Sequence, residues 1–215
     1  MIHIHRFIFN PFQQNTYLLY PDTKECAIVD PGCYTQEERD ELVAFIESNE
    51  LKPTLLLNTH CHVDHVLGNA FIKGKYNLKL MAHKNEVELL QLAVEHGYMY
   101  GFTVDTPPPI DTFIEDGQVI NLGKSEILAL YVPGHSAGSL AFVCKEEKIV
   151  LTGDVLFAGS IGRTDLLGGD YDQLINSIKS KLMPLGDEFL VLSGHGPRTS
   201  IGTEALGNPF LEDKL

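Results

Sequence analysis

The chain is short of positive charge, with 16 Lys and Arg against 29 Asp and Glu, a formal net charge of -13 over 215 residues. That balance argues against a nucleic-acid partner, because binding phosphates requires a cationic face. Long apolar runs are missing too: none approaches the roughly 20 residues that cross a bilayer, so no membrane partner is expected. The opening MIHIHRFIFNPFQQ lacks the charged start, apolar stretch and small-residue cleavage site of a secretory signal. The cysteines, Cys26, Cys33, Cys61 and Cys144, form no CxxC pair and no structural zinc spacing, and free thiols fit a reducing compartment. The expectation is a cytoplasmic protein of one domain, residues 1–215, large enough to bury a core without disulfide staples.

Histidine is where the sequence becomes specific. Nine are present, and three of them crowd with an aspartate into LLLNTHCHVDHVLG, as His60, His62, Asp64 and His65. Three imidazoles and a carboxylate so close together would be mutually costly in a core without a cation. Cys61 lies between two of them and, in extended backbone, points the opposite way; it is expected in the core, as are Cys26 and Cys144 in their apolar runs. His3, His5, His83 and His96 have no such context and are read as structural.

A local phrase recurs along the chain: a short aliphatic, β-branched run followed by Asp or His. CAIVDPG ends on Asp30, TLLLNTHCH on His60 and His62, EILALYVPGH on His135, KIVLTGD on Asp154 and FLVLSGHG on His195. Such runs, bounded by Gly and Pro, read as buried strands that deliver polar residues from one end. Between them lie helical patterns. TQEERDELVAFIESNE opens with Thr35 and Glu38 in capping-box spacing; HVLGNAFIKGKY, a stretch from Lys84 to Tyr98, and one from Tyr171 that Pro184 stops are further helices. FTVDTPPPIDTFIEDGQ reads as surface loop. The early runs look like a meander, so the fold class is α/β (α+β), a mixed sheet or two sheets flanked by helices.

Two residues apart in extended backbone, His60 and His62 point the same way and can grip one cation; a turn at Val63 lets Asp64 and His65 address a second. Two catalytic ions need about six or seven ligands, fewer if a carboxylate is shared. His135 completes the first set, His195 the second, and Asp154 can bridge.

The motifs resemble those of the metallo-β-lactamase superfamily: THCHVDH matches its HxHxDH signature, and PGHSAGS, LTGDVLF and SGHGPRT match its later ligand motifs in order, with NTYLL and IVDPG upstream. The resemblance covers essentially the whole chain. It implies an αββα sandwich of two mixed β-sheets flanked by helices, with His60, His62 and His135 on one metal, Asp64, His65 and His195 on another, and Asp154 bridging. Within the superfamily the set is most similar to short glyoxalase II-like (hydroxyacylglutathione hydrolase-like) bacterial proteins with a GSIGRTD-type loop. Glyoxalase II of the longer kind carries a C-terminal helical region with basic residues for glutathione; only Arg198 and Lys214 follow His195 here, so no such glutathione-binding domain is expected.

The expected activity is that of a binuclear metal hydrolase. Two divalent ions, zinc first with iron or manganese open, supply a bridging hydroxide, and Asp64 and Asp154 serve catalysis as well as binding. The expected substrate is a small thioester such as S-lactoylglutathione or a related acyl-thiol, since thiolate leaves well; no G-x-S-x-G elbow offers a rival nucleophile. Tyr98, Tyr100 and Phe102 are candidates for a pocket wall or for core. Arg163 either receives a substrate carboxylate or pairs with Asp165. The alternatives are a mononuclear iron sulfur dioxygenase oxidising a persulfide and a metal-stabilised binding protein without catalysis. A β-lactamase and a nuclease fit less well, the former because Asp154 resembles the bridging residue of hydrolases outside that group, the latter because no basic surface is visible.

Overall fold

The computed structural model describes residues 1–212; Lys214 and the end of the expected domain lie outside them. The amino-terminal half builds a mixed sheet from β1 (Ile2–Phe9), β2 (Gln14–Pro21), β3 (Glu25–Val29), β4 (Lys52–Leu57), β5 (Leu80–Ala82) and β6 (Thr112–Phe113), in that spatial order. The first three strands form the expected antiparallel meander, and β3 to β6 run parallel. A second sheet uses β7 (Val119–Leu122), β8 (Ser125–Tyr131), β9 (Leu140–Cys144) and β10 (Ile149–Gly153). After a small hairpin of β11 (Leu156–Phe157) and β12 (Ser160–Ile161), it is completed by β13 (Leu190–Ser193) and β14 (Thr199–Ser200), in the order β14-β13-β10-β9-β8-β7.

Strand parity decides which core each side chain enters. In β2 to β4, Tyr17, Leu19, Ala27, Val29 and Leu57 face the second sheet and meet Ile127, Leu140, Phe142 and Leu151. Their alternates Leu18, Ile28 and Leu56 turn outward onto Leu42 and Ile46 of α1 (Gln36–Ser48). The outer face of the second sheet is covered in the same way by Leu174 of α6 (Tyr171–Ser177) and Ile201 of α7 (Ile201–Gly207). Two mixed sheets flanked by helices, as the motifs led one to expect, leave three apolar layers between four structural ones.

Thr35 caps α1 through the reciprocal bond with Glu38 that the sequence announced. Two other helices are more broken than their patterns. HVLGNAFIKGKY divides into α2 (Val63–Val66) and α3 (Asn69–Tyr76) around Gly68, whose N–H bonds Pro31 O at 2.7 Å. The run from Lys84 divides into a 3₁₀ turn, α4 (Val87–Gln91) and α5 (Ala93–Met99), with Leu92, at φ -84 and ψ -4, at the junction of the two helices. Pro184 does not stop α6 abruptly: the chain widens into a π turn over Ile178–Leu182, and the proline sits inside the 3₁₀ turn that follows. No helix of the described residues is long and apolar enough to cross a membrane.

Candidate metal centre

β3 and β4 run parallel, as do β10 and β13, and β8 shares their direction across the intervening β9. Residues that follow these strands therefore arrive at one edge of the sandwich. There α2 begins at Val63, directly after His62, and this change of backbone turns Asp64 and His65 toward the residues brought by the second sheet.

Two donor sets result. One ligand atom from each of His60, His62 and His135 lies within 4.8 Å of the others, and the same holds for Asp64, His65 and His195. Asp154 stands between them: its Oδ2 is 3.8 Å from His135 Nε2 and 3.5 Å from His195 Nε2, and its Oδ1 is 3.4 Å from His65 Nε2. The close packing is real at the level of single atoms, with His62 Nδ1 only 2.8 Å from His135 Nε2.

Whether these residues fit cations can be judged from their unpaired atoms. His60 Nε2, His62 Nε2, His65 Nε2 and Asp154 Oδ1 are buried and have no hydrogen-bond partner. Buried polar atoms are paired with few exceptions, so four such atoms in one spot are the arrangement that a bound cation would satisfy. Imidazole and carboxylate donors of this kind suit zinc, iron or manganese.

The opposite edges of the rings are fixed. His135 Nδ1 lies 2.8 Å from Arg163 O and His195 Nδ1 lies 3.1 Å from Phe12 O; a carbonyl only accepts, so both Nδ1 atoms carry protons and both Nε2 atoms face the centre. Asp30 Oδ2 takes His65 Nδ1 at 3.0 Å and the Thr59 hydroxyl at 2.6 Å. Having donated to Asp30, Thr59 Oγ1 is left to accept from His60 Nδ1 at 3.1 Å. One carboxylate thus orients a histidine in each set. Asp30, His60 and His65 also approach within a cation's reach, but both Asp30 oxygens are already engaged.

Glu86 was not visible from sequence as part of this architecture. Fully buried, it accepts Cys61 N–H at 2.6 Å on Oε2, and the Ser136 hydroxyl at 2.6 Å and Gly138 N–H at 2.7 Å on Oε1. It therefore ties the loop of His60 and His62 to the loop of His135. No motif flags it, since its partners are backbone groups and a serine distant in sequence. Cys61 itself packs into the core beneath α1, as expected from its parity, with its thiol pushed well up by burial.

Electrostatics divide the histidines. Burial and neighbouring imidazoles hold His60 well below its ordinary value, His62 down to about 3, and burial also lowers His135. For His65, burial acts against charge but is outweighed by Asp64, Asp154 and Asp30, so its value rises well above the ordinary one. His195 rises as well, burial being outweighed by its contact with Asp64, at 3.0 Å, and by Asp154.

Above the centre lies a pocket of about 390 Å³. His62, Asp64, His135, Asp154 and His195 contribute to its lining, with Phe12, Leu89, Met99, Tyr100, Leu166 and Leu167 supplying the apolar surface. Of the aromatic candidates only Tyr100 lines it. Phe102 is buried behind, stacked on Phe12 at 5.3 Å, and Tyr98 points elsewhere, 83% exposed. Arg163 lines the pocket, with its Nε and Nη2 each 2.7 Å from the two Asp165 oxygens. His96, read from sequence as structural, is also on the wall.

The metallo-beta-lactamase superfamily model matches residues 9–195. The chain is 38% identical over 205 residues to the hydroxyacylglutathione hydrolase GloC of Haemophilus influenzae, covering 94% of this chain and 95% of that one. Among solved structures it is similar to the BLEG-1 B3 metallo-beta-lactamase, with a TM-score of 0.90, 34% identity and coverage of 98% and 100%. It is also similar to TTHA1623 in a di-iron-bound form, with a TM-score of 0.87, 35% identity and coverage of 96% and 100%. With the ligand motifs assembled at one edge of the sandwich and the family match spanning most of its length, this chain belongs to the metallo-β-lactamase superfamily.

Proposed function

We propose that the protein is a binuclear metal-dependent hydrolase acting on a thioester, with S-lactoylglutathione the first substrate to try because of the Haemophilus relative's name. The observation that carries this reading is the pair of donor sets with Asp154 between them. His60, His62 and His135 would hold one ion and Asp64, His65 and His195 the other, with the Asp154 carboxylate within reach of both sets. When bound, two divalent ions acidify water to the point of nucleophilic attack at neutral pH and polarise a carbonyl oxygen. Zinc is the ion favoured here; the di-iron form of a similar protein keeps iron in the comparison.

The chain's own groups supply the rest. Asp64 Oδ2, anchored 3.0 Å from His195 Nε2, is placed to orient the attacking water and accept its proton. His135 and His195 are kept by the Arg163 and Phe12 carbonyls with Nε2 facing inward. Thiol leaving groups have a pKa of about 8.5, so carbon–sulfur cleavage needs no strong general acid. The complete second set, Asp64, His65 and His195, favours this reading over a mononuclear iron dioxygenase or a non-catalytic scaffold.

The test is metal analysis of protein purified without added metal, together with oxygen-free assays on S-lactoylglutathione and a panel of acyl thioesters. The expected result is close to two metals per chain and thioester turnover. One iron per chain, oxygen consumption with a persulfide and no hydrolysis would replace this reading with the dioxygenase.

A further inference from the structure

Glutathione conjugates are poorly matched to the mouth of the site. Arg163 is the only Lys or Arg that lines the pocket among the described residues, and Asp165, two residues away, holds two of its five N–H donors through Nε and Nη2. A carboxylate tethered that closely has a high effective concentration, against which a dissolved carboxylate must compete. Arg39, the cation at the neighbouring 102–105 segment, is paired with Asp105 at 3.2 Å. The chain as a whole carries a formal net charge of -13. A thiol half bearing two carboxylates would lose water at this mouth without gaining matched partners.

What the mouth does offer is apolar area. Met99 is 72% exposed, Tyr100 52% and Leu167 48%, and they converge with Phe12 and Leu166 on the pocket above the metal centre. Tyr100 meets Phe12 edge-on at 5.4 Å, and Phe12 stacks on Phe102, which fixes this wall to the body of the protein. A rim of exposed large apolar side chains continuous with a site marks the surface that a ligand covers. The volume, about 390 Å³, lies at the lower end of the roughly 300–1,000 Å³ of small-molecule sites.

Building on the hydrolase reading, we infer that the site selects thioesters that are apolar and uncharged on both sides of the carbonyl, an aliphatic or aromatic acyl group on a neutral thiol, in preference to glutathione thioesters. Hydrolysis then breaks the carbon–sulfur bond, joins the water oxygen to the acyl carbon and leaves a carboxylic acid and a free thiol. Met99, Tyr100 and Leu167 determine the specificity, and Asp165 competes with an anionic thiol for Arg163, the one cation lining the pocket among the described residues.

Binding of inert thioethers to the zinc-loaded protein tests the selection apart from catalysis. Calorimetric titration is made with S-hexyl-N-acetylcysteamine, its S-methyl analogue and S-hexylglutathione. The expected result is that the neutral hexyl probe binds at least about tenfold more tightly than either of the others, a difference of about 1.4 kcal/mol. Asp165→Ala should release Arg163 and bring S-hexylglutathione at least severalfold closer, while Leu167→Asp should abolish the advantage of the hexyl chain. Equal or tighter binding of S-hexylglutathione by the unaltered protein overturns the inference, as does an Asp165→Ala protein with unchanged preference. Turnover of the corresponding thioesters is measured in parallel. Its complete absence would count against the hydrolase reading, whereas the thioether ranking decides the chemistry of the mouth on its own.

Discussion

Asp30 Oδ2 lies 3.0 Å from His65 Nδ1 and, through the Thr59 hydroxyl, governs His60 as well. Its carboxylate also accepts Thr59 N–H at 2.7 Å and Asn58 Nδ2 at 3.3 Å, and its backbone holds a φ of 49 to reach them. Replacing it with Asn keeps the size but turns one acceptor into a donor facing partners that themselves donate. Asp30→Asn should weaken metal binding by about 10- to 100-fold, the usual cost of losing an orienting partner behind a ligand. Competition with a chromophoric chelator measures this, and unaltered affinity would remove Asp30 from the account of the site.

Glu86 links the two ligand loops through three donors, and Glu86→Ala leaves Cys61 N–H, Gly138 N–H and the Ser136 hydroxyl without it. Each buried donor left unmatched costs about 1–3 kcal/mol. At about 2–4 °C of Tm per kcal/mol for a chain of this size, the metal-free protein should melt at least several degrees lower. A calorimetric Tm within a degree of the parent would show that the buried network carries little of the stability.

Gly194 has no room for a side chain: a Cβ there would collide with Asp154 Oδ1 and come within 2.6 Å of His65 Cε1. Gly194→Ala should displace the carboxylate that stands between the two donor sets. Expected is folded protein with a normal far-ultraviolet spectrum and a metal content that drops below that of the parent by about one ion on dialysis. Full retention of metal would mean that Asp154 yields without consequence.

All four thiols are buried, and burial pushes those of Cys26, Cys33 and Cys144 up to about 12. None should react rapidly with a disulfide reagent in mildly alkaline buffer until denaturant is added, because the thiolate is the reactive form. Rapid labelling of Cys61 in the native protein would place its side chain toward the metal centre and not in the core.

Much of this was readable in the chain because it is written in local spacing. The strand-end histidines and Asp154 follow aliphatic runs, and the alternation that sends Cys61 into the core and His60 and His62 out of it needs only two-residue periodicity. The box between Thr35 and Glu38 is equally local. What escaped depends on contacts between distant segments. Glu86 sits in a helical pattern like any other acid, and only the fold brings Ser136 and Gly138 to it. The helix from Lys84 keeps its apolar repeat through Leu92 even though the backbone breaks there. On the same helix His96 lines the pocket while Tyr98, two residues on, is exposed, a difference set by what packs against each and not by local spacing.

The two donor sets should load metal with different proton balances. In the metal-free protein His60, His62 and His135 are held below their ordinary values by burial, so they are neutral near neutral pH and have nothing to release. His65 is raised well above its ordinary value by Asp64 and Asp154 and keeps a proton under the same conditions, and His195 is shifted in the same direction by the same carboxylates. A cation can take the His65 lone pair only by displacing that proton. The sign follows: a raised value means the proton is present before binding and absent after it, so affinity at the Asp64, His65 and His195 set rises with pH and is the first to be lost as pH falls. Zinc titrated into metal-free protein at neutral pH, in two buffers of different ionisation enthalpy, should show one equivalent with little proton release and another that releases protons. If both equivalents bind without net release, the imidazolium character of His65 is refuted, and the division of the centre into two electrostatically distinct halves fails with it.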